Sequence, residues 1–293
     1  KIIHRSDLLA ELTREKFSIT VTGSHGKTTT TSLLSHVLIE ANYDPTIVIG
    51  GHLNSINSNA RNGNSNFLVA EADESDRSLL RLFPSLIIIT NVGFEHVDTY
   101  RDVNDVIEMF KQFTDRLPTK GKVVIYADNL HTQVLIKKIE RPVITYGFSE
   151  TVDWQIIKET EHRESATFSL RHHGIEFGPI TVGMAGRHTM LNATAAYIAA
   201  REIGITHEVI SAALRTFTGV DRRFTFKGTC NGAEIFDDYG HHPTTIKHTI
   251  ESARNRASGK LFVLFQPHRY TRTQGLWNEF LHYFANSPID NLI

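Results

Sequence analysis

Val21-Thr-Gly-Ser-His-Gly-Lys-Thr-Thr-Thr-Thr31 decides how this chain is read. It lies between Phe17-Ser-Ile-Thr-Val-Thr22, an alternating β-branched run that predicts a strand, and residues 27–41, whose apolar pattern predicts a helix. A glycine-rich turn entering a helix is a phosphate cradle: Gly23 and Gly26 let the backbone close on an anion, Lys27 reaches the outer phosphates, and Thr28 offers a hydroxyl to Mg2+. Ser24, His25 and Thr29 complete the loop. The full P-loop spacing asks for glycine at position 21, where this chain has valine, so the general motif is matched from Gly23 onward. The competing reading is an ordinary glycine-rich turn.

Working outward, a first helix is expected after Ser6 with Leu8, Leu9 and Leu12 on its apolar face, forming with the residues around it a linker and entry segment over 1–16. Asp44-Pro45 marks a turn before a strand at Thr46–Ile49, which Gly50-Gly51 ends; Asn54–Asn66, rich in Asn, Ser and Gly, reads as a loop. Further strands are expected at Phe67–Ala70, Leu86–Thr90 and Val123–Tyr126, with a helix over Asp102–Phe113. Residues 151–183 resemble antiparallel hairpins with a turn at His173-Gly174, and helices resume at Met190–Glu202 and His207–Phe217. The pattern changes near Thr218, where strand candidates at Ala233–Phe236 and Leu261–Phe265 bracket a helix over Thr244–Arg256. The expected architecture is α/β: an ATP-binding domain over 17–217 with a mostly parallel sheet, then a second domain over 218–293.

Bulk properties exclude several classes. With 31 Lys plus Arg against 32 Asp plus Glu, the formal net charge is −1, which gives no case for nucleic acid or membrane-surface affinity. No apolar run reaches the roughly 20 residues of a membrane span, and Lys1-Ile-Ile-His-Arg-Ser-Asp7 lacks a secretory core, so a cytoplasmic location is expected. The missing initiating Met and the stop at Pro288–Ile293 point to a segment of something longer, for which low activity by itself is expected. The single Cys230 has no His or Asp at motif spacing and reads as structural. Nothing in the sequence sets the oligomeric state.

Chemistry clusters at the predicted strand ends. Glu71-Ala-Asp-Glu-Ser-Asp76 follows one strand and supplies hard oxygen ligands suited to Mg2+, or else a solvated acidic turn. Asn91-Val-Gly-Phe-Glu-His-Val-Asp98 follows the next and adds Glu95, His96 and Asp98, His96 being open to a metal-binding or a structural reading. Lys27-Thr28, Glu71 and His96 thus form a convergent set able to hold ATP with one or two divalent ions. In the second domain, Asp237-Asp-Tyr-Gly-His-His-Pro243 reads equally as substrate contact or surface turn. Arg222-Arg223 is either a hinge charge or the completion of an ATP site. Gln266-Pro-His-Arg-Tyr-Thr-Arg272 places His268, Arg269 and Arg272 near a cleft edge, where guanidinium forks suit carboxylates and phosphates; the cluster is too short for RNA.

Five segments in order, Thr22–Thr30, Glu71–Asp76, Glu95–Tyr100, Asp237–Thr244 and Gln266–Thr273, resemble the Mur ligase family of bacterial cell-wall synthesis across essentially the whole chain. The resemblance implies three domains, of which this chain holds the central ATPase and part of a Rossmann-like carboxyl-terminal domain. It implies ATP and Mg2+ as cofactors, with UDP-N-acetylmuramate and L-alanine as the partners joined through an acyl phosphate. By carry-over, Lys27 contacts the β- and γ-phosphates, Thr28 and Glu71 hold one Mg2+, and His96 helps bind a second. Asn192 becomes the adenine-side contact, although Thr189 stands where the family's His-Asn-x-x-Asn has its first asparagine. Arg223 and Asp238 would approach ATP, while His241, His242, His268 and Arg269 would lie near the muramoyl or amino-acid substrate. The alternatives are a ligase adding a preformed peptide to the same sugar nucleotide, a folylpolyglutamate synthase, which the His-Arg-Tyr-Thr-Arg segment argues against, and a regulatory protein that binds nucleotide without forming an amide. Lys27→Ala is expected to remove a ligand contact and leave the fold largely intact.

Overall fold

A computed structural model describes residues 2–96 and 98–293; Val97 of the Glu95–Tyr100 motif and the terminal Lys1 lie outside the described residues. Contacts divide the chain into two compact units, the first running through Glu95 and resuming over Thr99–Gly219, the second comprising His96, Asp98 and Val220–Ile293.

The first unit opens with α1 (Arg5–Glu15), two residues earlier than a start after Ser6, because the His4 ring accepts from the Ser6 amide while Asp7 accepts from the His4 amide. There follow β1 (Phe17–Thr22), α2 (Lys27–Glu40), β2 (Thr46–Leu53), β3 (Ser58–Arg61), β4 (Phe67–Glu71), β5 (Leu86–Ile89) and α3 (Val103–Thr114). Then come β6 (Lys122–Tyr126), α4 (Leu130–Ile136), β7 (Val143–Gly147), β8 (Trp154–Glu161), β9 (Ala166–His172), β10 (Ile175–Val182), α5 (Arg187–Glu202) and α6 (His207–Thr216).

These strands form one sheet of order β10-β9-β8-β7-β6-β5-β1-β4-β2-β3, parallel from β2 to β8 and antiparallel at both margins. The central strands read as continuous apolar runs because both faces are covered: Ile87, Ile88 and Ile89 are all fully buried, as are Val123, Val124 and Ile125. On one face Ile87, Ile89, Val123 and Ile125 pack with Ala10 of α1, Phe110 and Phe113 of α3, and Leu135 of α4. Helix α2 packs against α5 and α6. The hairpins at residues 151–183 are present as β8, β9 and β10, and the turn at His173-Gly174 has φ of 49° and 78°, the two left-handed residues of a tight hairpin connection.

Two expectations need correction. The stretch Asn54–Asn66 is not all loop, and Gly50-Gly51 does not end β2, which runs to Leu53; β3 pairs back on it antiparallel as the edge of the sheet. An edge strand is wetted on one side and so does not need apolar residues to be stable, which removes the pattern that reveals central strands. Helix α4 and strand β7 were not read from the sequence at all.

The second unit contains a hairpin of β11 (Thr225–Cys230) and β12 (Ala233–Asp237), then α7 (Pro243–Arg256), β13 (Phe262–Val263), α8 (Tyr270–Gly275), α9 (Trp277–Ala285) and β14 (Asn291–Leu292). Strands β13 and β14 are parallel, and Ile246, Ile250, Leu276 and Phe280 form the core between α7 and α9 with Phe265 and Phe284. Among the described residues no helix is long and apolar enough to cross a membrane.

Candidate functional site

Strand β1 lies between β4 and β5, and Val21 is in register with Glu71 on one side and Ile88 on the other. All three strands run the same way, so the residues that follow them emerge at one edge of the sheet. The chain turns after Thr22, and Gly26 closes the turn in the left-handed region at φ 82°, where it caps α2 with no side chain contributed to the first-turn amides. A Cβ at Gly26 would also sit 2.6 Å from the Asn192 amide oxygen. Glycine is therefore required both by backbone conformation and by space. The uncapped amides and the positive end of the helix dipole make the start of α2 receptive to anions.

The Lys27 ammonium donates to Glu74 Oε1 at 2.8 Å, to the Gly23 carbonyl at 2.7 Å and to the Ser24 carbonyl at 3.2 Å. The pair is enclosed, with side-chain exposures of 15% for Lys27 and 2% for Glu74. Burial alone lowers the pKa of Lys27, but the negative field of Glu74, then Glu95, with the Glu74 hydrogen bond and Glu71, outweighs it and leaves the group above its usual value. Lys27 thus stays charged throughout the physiological range.

One residue on, the Thr28 hydroxyl donates to Glu71 Oε1 at 3.2 Å, and the other Glu71 oxygen accepts from the Gly50 amide at 2.9 Å. A Cβ at Gly50 would lie 2.9 Å from both oxygens, so the missing side chain makes room for this carboxylate. A hydroxyl and a carboxylate side by side are hard oxygen donors of the kind Mg2+ takes, and they adjoin an anion-receptive helix end, so the residues present fit a metal-bound phosphate.

The rest of the loop is tied to the segment after β5. His25 pairs with Glu95 at 2.9 Å, and Ser24 exchanges hydrogen bonds with Gly93, accepting from its amide at 2.8 Å and donating to its carbonyl at 3.2 Å. Asn192 on α5 is buried and accepts from the Thr30 hydroxyl at 3.2 Å, which puts its carboxamide against the first turn of α2. Thr29 is buried in that turn. Gly23, Ser24, His25, Gly26, Lys27, Thr28, Thr29, Glu71 and Asn192 are therefore gathered in the first unit, and His96, Arg223, Asp238, His241, His242 and Arg269 belong to the second.

Within the second unit, the Asp238 carboxylate ties the segment before β11 and its own loop to α7 by accepting from the Phe224 amide at 2.9 Å, the Gly240 amide at 2.6 Å and the Thr249 hydroxyl at 3.1 Å. His242 caps α7, its Nδ1 accepting from the Thr244 amide at 3.4 Å. The guanidinium groups of Arg222 and Arg223 lie 5.0 and 5.8 Å from the Tyr239 ring centre, and the His241 and His268 rings are 5.8 Å apart. Arg269 precedes α8 at φ 67°, and Asp98 accepts from the Thr271 hydroxyl at 2.9 Å. Glu74, Gly50 and Asn91 escaped the sequence reading as individual residues. Glu74 carried a signal, a carboxylate shortly after a strand end, whereas Gly50 read only as a terminator.

A mostly parallel sheet bearing a Gly-Lys-Thr loop at the carboxyl edge of its central strand defines the P-loop α/β class. Residues 21–200 match the Mur ligase middle domain and residues 222–293 match the Mur ligase glutamate ligase domain. The chain belongs to the Mur ligase family. It is 44% identical over 287 residues to a UDP-N-acetylmuramate–L-alanine ligase of Acidobacterium capsulatum, covering 98% of this chain and 63% of that protein. Among solved structures it superposes on the UDP-N-acetylmuramate-alanine ligase MurC of Thermotoga maritima with a TM-score of 0.79 at 24% identity, over 98% of this chain and 69% of that one. A murein peptide ligase of Psychrobacter arcticus gives 0.72 at 25% identity, over 91% and 61%.

Proposed function

We propose that this chain is the nucleotide-handling part of a ligase that uses ATP and magnesium to join L-alanine to UDP-N-acetylmuramate. The observation that carries the ATP-dependent chemistry is the Thr28–Glu71 oxygen pair beside the Lys27 ammonium at the uncapped start of α2. The choice of sugar nucleotide and amino acid rests on the 44% identity to the Acidobacterium capsulatum ligase.

In this reading the loop from Gly23 to Thr29 wraps the phosphates, and Lys27 turns from Glu74 and its own loop carbonyls toward the transferring phosphoryl group, countering its charge. Thr28 and Glu71 hold magnesium, which when bound neutralises phosphate oxygens. Asn192 borders the nucleotide from α5. Motif correspondence assigns His96 to a second ion, Arg223 and Asp238 to the nucleotide, and His241, His242 and Arg269 to the muramoyl or amino-acid side. A cytoplasmic site of action follows from the sugar nucleotide and ATP as substrates.

The test is mass detection of the UDP-linked product after incubating the protein that contains this chain with ATP, Mg2+, UDP-N-acetylmuramate and either L-alanine or a murein tripeptide. The alanyl product is expected. Product with the tripeptide alone transfers the assignment to murein-peptide ligation, the reading favoured by the second structural match. Absence of ADP with both amines overturns the ligase reading.

A further inference from the structure

The loop lacks the first glycine of the full P-loop spacing, and Val21 in its place is a fully buried strand residue paired on both sides. The turn is consequently compressed into Gly23–Gly26, and something outside the loop must hold its shape. The residues just beyond β5 do so. The His25 amide donates to Asn91 Oδ1 at 2.9 Å, and Asn91 Nδ2 donates back to the His25 carbonyl at 3.0 Å. One carboxamide thus reads both backbone groups of the residue at the crown of the loop, and the opposite senses of the two bonds fix which end is oxygen. The Asn91 carbonyl also accepts from the Ser24 amide at 3.3 Å. Next to it, the Thr90 hydroxyl lies 3.1 Å from the Thr22 carbonyl and 2.5 Å from the His25 carbonyl. A Cβ at Gly23, whose φ is 123°, would overlap that hydroxyl.

We propose that Asn91 is a positioning residue for nucleotide binding: its carboxamide holds the His25 peptide so that the amides entering α2 face the phosphates. This rests on the reading of the loop as the ATP site. Aspartate cannot substitute, because it keeps the acceptor, loses the donor and adds a charge beside phosphate oxygens. Leucine of similar shape loses both bonds. Leucine removes the acceptor of the His25 amide, aspartate sets a carboxylate oxygen against the His25 carbonyl, and both leave the contacts of Lys27 and Thr28 formally intact, so the effect reaches the ligand through loop geometry.

The test compares ATP, ADP and adenosine binding to the wild-type protein, Asn91→Leu and Asn91→Asp, with urea unfolding of each in the absence of nucleotide. ATP and ADP affinity should fall about tenfold in Asn91→Leu and further in Asn91→Asp, while adenosine binding, followed by saturation-transfer NMR, stays at the wild-type level. Equal losses for adenosine and ATP, or unchanged ATP affinity in a folded variant, overturn the proposal. Should Asn91→Leu not fold, Asn91→Asp decides in the same terms. Failure of the wild-type protein to bind ATP removes the nucleotide reading itself, an outcome distinct from a silent Asn91.

Discussion

Lys27 has three acceptors for its three protons, one of them the buried Glu74 carboxylate. Replacing it therefore does more than delete a ligand contact, and the expectation that Lys27→Ala leaves the fold largely intact is too simple. Breaking a buried pair on one side leaves a charge in a poor solvent, so Lys27→Met should lower unfolding free energy by about 3 kcal/mol in urea titrations. The double variant Lys27→Met/Glu74→Gln should regain more than half of that, since the stranded charge is gone. Equal destabilisation in single and double variants would show that the pair carries no such penalty. Gly50 acts on the neighbouring group. Gly50→Ala would press a methyl against both Glu71 oxygens, and the magnesium concentration needed for ATP binding should rise about tenfold, as for other groups that orient a metal ligand. An unchanged magnesium midpoint would mean that Glu71 is free to move aside. The exposed position of Gly50 should keep the melting temperature nearly constant.

Helix α2 joins the site to the packing behind it. Its first turn carries Lys27 and Thr28, and its third places the buried His36 against α6, with Nε2 3.0 Å from the Thr216 hydroxyl and the ring edge-on to Phe217. Burial lowers the pKa of His36 below its ordinary 6.5, against smaller upward effects of Glu40 and the Ala213 backbone. The unfolded chain then binds the proton more tightly than the folded one, so stability is level above about pH 6.5 and falls as pH drops below it. Urea midpoints at pH 7.5 and 5.0 should differ more for the wild type than for His36→Gln; equal differences would remove His36 from the acid response. Helix α3 is set by its cap. Asp102 accepts from the Asp105 amide at 2.9 Å, and Asp102→Ala should cost about 1 kcal/mol by thermal unfolding, a loss Asp102→Asn largely avoids.

Across the whole molecule the phosphate loop, its lysine and its metal-type oxygens all lie in one unit with one continuous sheet. ATP with magnesium at about a hundred times its dissociation constant should accordingly stabilise that unit by about 2.7 kcal/mol. Hydrogen exchange should slow at residues 23–31 and 71–76 in the wild type, and the absence of protection in either segment would count against a shared phosphate site.

The central strands were legible because burial on both faces leaves unbroken apolar runs such as Leu86–Ile89, and the Gly-Lys-Thr loop because its chemistry is local. Edge strand β3, built of Ser, Asn, Ala and Arg, was not, since one wetted side erases the pattern. By itself the sequence determined the α/β class, the site of the phosphate loop and the family, because periodicity, turn residues and ordered motifs are properties of the chain. Only the tertiary structure decided that Glu74 holds Lys27, that Gly50 makes room for Glu71 and that Asn91 clasps His25. Those contacts join residues 21 to 66 positions apart, and strand order and register, which no local pattern encodes, bring them within hydrogen-bonding distance.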